Sequence, residues 1–119
     1  MKNYLIINDH SPISDLYMEE ILELILSIAS LENSISILLL EDAALLLLNS
    51  QFKLINRNLL YQTIEAFKLF HFENIYIENT MLEKFKTANL SILTEYNFKE
   101  FHWDQLNSLY NTHDIILNF

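Results

Sequence analysis

Residues 35–42 read Ile35-Ser36-Ile37-Leu38-Leu39-Leu40-Glu41-Asp42. From Ile35 to Leu40 the only polar member is Ser36. The run is too short for a typical helix. Its apolar positions are consecutive rather than alternating, which describes a strand covered on both faces. That is the signature of an inner strand of a parallel sheet with helices on either side. The acidic pair Glu41-Asp42 ends the strand and interrupts the apolar stretch 35–48, so the stretch is no membrane span.

Outward from this run the chain keeps alternating. Strand patterns fall at 4–7, 35–40, 74–78, 92–95 and 114–117, and helical patterns at 14–31, 42–48, 58–70, 81–88 and 103–110. No linker or repeat divides the 119 residues, and Pro12 is the single proline. The pattern predicts one α/β domain spanning 1–119, a three-layer α/β/α sandwich around a mostly parallel sheet of about five strands. Thr80-x-x-Glu83 has the form of a capping box opening the fourth helix, in which side chains satisfy free N–H groups.

The formal net charge is −9, and the chain holds neither Cys nor Gly. The negative charge disfavours phosphate backbones and favours a basic protein partner. Lack of Cys excludes disulfides, thiolate nucleophiles, persulfide carriage and Cys-based metal sites. Lack of Gly excludes Gly-rich phosphate loops and leaves positive-φ positions to Asn and Asp. The apolar run at 4–7 is too short for a signal-peptide core. The expectation is a cytoplasmic protein without membrane association.

The helical segments carry more apolar residues than one core requires. In 14–31 the polar positions Glu20, Glu23, Ser27 and Ser30 form one narrow stripe, and the rest of 20–31 is apolar. Surface helices usually show the reverse proportions. The segment 42–48 runs Ala43-Ala44-Leu45-Leu46-Leu47-Leu48, and 58–70 is similarly rich. Either the core is unusually fatty or another subunit buries part of this surface. The second reading places the candidate interface at Leu45, Leu46, Leu60, Ile64, Phe67 and Phe70.

Ligands of doubly wound sheets bind beyond the carboxyl ends of the strands. Three segments meet there: Asn8-Asp9-His10-Ser11-Pro12, Glu41-Asp42 and Asn79-Thr80. Asp9, Glu41 and Asp42 are hard oxygen donors suited to a divalent cation. With His10 they define an alternative, a stand-alone small α/β enzyme or divalent-metal-binding domain. Asp42 serves equally as an N-cap, and Ser11-Pro12 as a helix entry. The four histidines, His10, His71, His102 and His113, lack metal-ligand spacing. His102-Trp103-Asp104 sets an acid near an imidazole but without a nucleophile, and a helix start explains Asp104 as well. His71 ends a helical pattern, where it suits the last carbonyls. No catalytic, cofactor-binding or metal-ligating residue is assigned.

Several features recur in a fixed order along nearly the whole chain. Pro12 follows the first strand, Glu20 lies in the first helix, and Asp42 comes directly after the second strand. Phe67-Lys68-Leu69 precedes Glu73 and the third strand, and the chain closes on Asp114-Ile115-Ile116-Leu117-Asn118-Phe119. In this order and spacing the chain resembles the DsrE/DsrF-like family of sulfur-relay proteins, and within it the TusC-like subunits. Ile13 and Ala43 depart from the glycines common there, and Asn118 from an arginine. The resemblance implies a non-catalytic structural subunit that needs no cofactor. TusC-like subunits assemble with TusB-like and TusD-like subunits in a heterohexamer with two copies of each. The persulfide cysteine lies on the TusD-like partner. Sulfur passes toward TusE and the tRNA thiolase, which performs the wobble 2-thiolation of 5-methylaminomethyl-2-thiouridine. No direct nucleic-acid contact is implied.

Overall fold

The computed structural model describes residues 2–9, 20, 23–28, 33–41, 43–44, 74–89 and 98–118. Five strands, β1 (Asn3–Asn8), β2 (Ser34–Leu39), β3 (Asn74–Glu78), β4 (Phe98–Phe101) and β5 (Ile115–Asn118), form one sheet. Their order is β4-β3-β2-β1-β5, and every neighbouring pair is parallel. The sheet is thus wholly rather than mostly parallel. The run that begins at Ile35 lies at its centre. Ile35, Ser36, Ile37, Leu38 and Leu39 are all buried, so both faces of β2 are covered, as are those of β1 from Leu5 to Asn8.

The fourth strand departs from expectation. It lies at Phe98–Phe101 rather than 92–95, and residues 92–95 are outside the described part. Ile92 and Leu93 give the earlier stretch more apolar weight. β4 instead exposes Lys99 and Glu100 between half-buried Phe98 and buried Phe101, as suits an edge strand that charge protects from further pairing.

Two helices are described in full: α1 (Asn79–Thr87), and α2 (Leu106–Thr112), which follows a 3-10 turn at Trp103–Gln105. α1 buries Met81, Leu82 and Phe85, one apolar stripe at helical spacing. It begins two residues earlier than the pattern suggested, and Thr80 makes no cap. The Thr80 hydroxyl donates to Glu78 instead. α1 ends with Lys84 and Lys86 in its last turn, favourable at the negative pole of the helix. Asn89 follows at φ 55°, the left-handed position that Asn fills when Gly is absent. Among the described residues the other positive φ, 49°, belongs to Glu41, contrary to the expectation that Asn and Asp would share these sites.

Right-handed crossovers fix the layers. The chain steps from β1 to β4 in one direction, then returns across the sheet to β5 beside β1. α1, on the outward path, and α2, on the return, therefore cover opposite faces. On the α2 face Leu5, Ile7, Leu38, Phe101 and Leu109 form a core cluster, flanked by Leu40, Tyr76, Leu106 and Ile116. At the amino end, the Asn3 N–H donates to Asp114 Oδ2 at 2.8 Å, and the Asp114 N–H to the Asn3 carbonyl at 2.9 Å. Among the described residues no helix is long and apolar enough to cross a membrane.

Candidate functional site at the carboxyl ends of the third and fourth strands

β3 delivers the chain to α1 on one face, and its neighbour β4 delivers it to the 3-10 turn and α2 on the other. Adjacent strands whose connections leave to opposite faces open a crevice at their carboxyl ends, where doubly wound sheets place their ligands. Glu78, the last residue of β3, is buried at this point. Its Oε1 accepts a hydrogen bond from Thr80 Oγ1 at 2.6 Å. Its Oε2 accepts one from Trp103 Nε1 at 3.0 Å. The Trp103 ring also meets Phe101 edge-on, with centroids 5.4 Å apart and planes at 73°, a favoured aromatic geometry. Even so, Trp103 is 51% exposed.

The turn that carries Trp103 is braced by two hydrogen bonds between His102 and Gln105. The His102 N–H donates to Gln105 Oε1 at 3.0 Å, and the Gln105 N–H to the His102 carbonyl at 2.8 Å. The His102 imidazole lies 3.7 Å from Glu100, with both side chains half exposed. Its carboxylate neighbour is thus Glu100 rather than Asp104. Chemically, both oxygens of Glu78 are engaged by neutral donors, and the Thr80 proton is committed to Glu78. The cluster ties the start of α1 to the 3-10 turn and fixes a tryptophan that remains half exposed.

The loops expected at this edge do lie along it. Asn8 is buried at the end of β1, and its carbonyl accepts the Leu40 N–H at 2.9 Å. Asp9 and Glu41 are exposed, and Asn79 and Thr80 open α1. Among the described residues no group of three His, Cys, Asp or Glu side chains is placed to hold a metal. His10, Ser11, Pro12 and Asp42 lie outside those residues, as do His71 and the interface candidates Leu45, Leu46, Leu60, Ile64, Phe67 and Phe70. His113 has a structural position, its Nδ1 2.7 Å from the Leu109 carbonyl near the end of α2. In the first helical segment Glu23 and Ser27 are exposed and Ile25 and Ile28 buried, as the stripe predicts, but Leu26 is 42% exposed.

Sequence reasoning missed Glu78 and Trp103. A carboxylate closing an apolar strand and a lone Trp in an acidic stretch were visible signals, but their pairing spans 25 positions.

A five-stranded parallel sheet in this order, wrapped by helices on both faces, has the DsrE/DsrF-like fold. Among solved structures, the YchN protein from E. coli matches at a TM-score of 0.76 and 16% identity, covering 100% of both chains. That likeness is one of fold. No family model and no curated protein matches the sequence.

Proposed function

We propose that this chain is a non-catalytic structural subunit of a TusBCD-like sulfur-relay complex serving wobble-uridine 2-thiolation of tRNA. The observation that carries the reading is a DsrE/DsrF-like fold built from 119 residues without a single cysteine. Persulfide transfer needs a thiolate, so in such a relay the sulfur travels on a partner and this chain contributes architecture. The net charge of −9 suits protein partners over direct tRNA contact. TusB-like and TusD-like subunits, two copies of each alongside two of this chain, are the proposed partners, with TusE and the thiolase acting downstream.

The test joins mass and chemistry. The tagged chain expressed with TusB-like and TusD-like chains is expected to co-purify as one heterohexamer, and deletion of its gene to remove 2-thiouridine from tRNA hydrolysates. A deletion strain with normal thiolation refutes the proposal. A chain that forms only homo-oligomers in the presence of both partners also refutes it, and points to a self-associating relative.

A further inference from the structure

We infer that Trp103, backed by Glu78 and Asp104, is a docking point for an arginine- or lysine-bearing segment of a partner protein. Trp103 is the chain's single tryptophan and its indole is half in solvent. It is nevertheless fixed, by the hydrogen bond to Glu78 and the edge contact with Phe101. An anchor fixed beforehand loses little freedom on binding. Tryptophan also presents the aromatic face that best attracts a cation.

The electrostatics point the same way. Glu78 is buried and its two donors are neutral, so its charge acts on the indole through a partly desolvated path, where fields are stronger than in water. An N–H given to a carboxylate also pushes electron density into the ring. Asp104 and Glu100 are exposed on the same short stretch, against Lys99 and the His102 imidazole that lies 3.7 Å from Glu100. The chain as a whole carries −9. Half of Trp103 stands in solvent, whereas small ligands are held in concave pockets that cover most of their surface. A cationic side chain carried by a protein brings the rest of its interface with it, and Trp paired with Arg is a recurrent energetic centre of such interfaces. The inference holds whether or not the assembly is a sulfur relay.

Because Trp103 is the single tryptophan, its fluorescence and its indole N–H resonance report on this point alone. The full chain is titrated at low ionic strength with a blocked Gly-Arg-Gly-Arg-Gly peptide and with the same peptide carrying citrulline, its neutral isostere. A saturable shift at millimolar peptide or below is expected with arginine, with a response at least several-fold weaker for citrulline. Asp104→Asn is expected to weaken binding by roughly 1.5- to 5-fold, the range of an exposed ion pair, in a protein that circular dichroism shows to be folded. Backbone amide shifts in Trp103→Leu are expected to show binding largely lost. Equal response to both peptides, absence of a saturable shift, or unchanged affinity in Trp103→Leu would overturn the inference.

Discussion

The hydrogen bond between Trp103 and Glu78 joins two strand ends and can be measured by a double-mutant cycle of Trp103→Phe and Glu78→Met. A hydrogen bond to a charged acceptor contributes about 1.5–3 kcal/mol when fully buried. Here the acceptor is buried and the donor ring is half exposed. Water therefore competes for the freed N–H, and the coupling falls to or just below the lower end, about 1–1.5 kcal/mol. Glu78→Met also loses the 2.6 Å bond from Thr80. That loss appears in both Glu78 variants and cancels, as does the smaller ring in both Trp103 variants. Urea unfolding followed by far-ultraviolet circular dichroism reads all four proteins, including those without tryptophan. Glu78→Gln is the control. Its amide oxygen still accepts the indole N–H, and the Thr80 hydroxyl can turn to accept, so the cost should stay below about 1 kcal/mol. Coupling under about 0.5 kcal/mol, within the scatter of independent sites, would refute the strut.

Four further outcomes follow from the same geometry. The Ser36 hydroxyl is buried without a hydrogen-bond partner, so Ser36→Ala should leave stability unchanged or raise it by up to about 1 kcal/mol in urea melts. Phe101 is fully buried in the α2-face core and supports the Trp103 ring. Phe101→Ala should cost about 3–5 kcal/mol and red-shift Trp103 emission in whatever folded protein remains. Asp114→Ala removes the acceptor of the Asn3 N–H and should cost about 0.5–1.5 kcal/mol, with Asp114→Asn losing less. Glu41 sits at φ 49°, which costs a non-glycine residue about 1–2 kcal/mol. Gly relieves this but adds roughly 0.4–1 kcal/mol of unfolded-state freedom, so Glu41→Gly should be neutral to mildly stabilising, and a clear loss would contradict the geometry.

The fold was legible where burial is simplest. β2 sits at the sheet centre with both faces covered, so its sequence shows consecutive apolar residues and needs no context to interpret. β4 lies at the edge and has to serve two environments. Phe98 and Phe101 stand three apart with Lys99 and Glu100 between them, a spacing shared with one face of a helix. What makes it a strand is its ladder with β3, from Ile75 opposite Phe98 to Glu78 opposite Phe101, and no local pattern encodes that pairing. Glu41 failed for a related reason. Its backbone follows from the exit of β2 into the next turn, not from its own preference, which would have chosen Asn or Asp.

The site followed the topology rather than the count of polar residues. The loops after β1 and β2 hold the most carboxylates in sequence, and attention falls on them first. Yet β1 and β2 both belong to the outward path, and the crevice opens where that path turns back, between β3 and β4. The residues at that turn explain each other. A buried carboxylate is unfavourable without donors, and a tryptophan N–H at the edge of the core usually finds an acceptor. Together they satisfy the carboxylate and hold the ring in place. What the pair offers is a half-exposed indole fixed by a buried carboxylate on an acidic protein. The proposed docking role rests on this arrangement, a half-exposed ring held by a buried carboxylate at the junction of two strand ends.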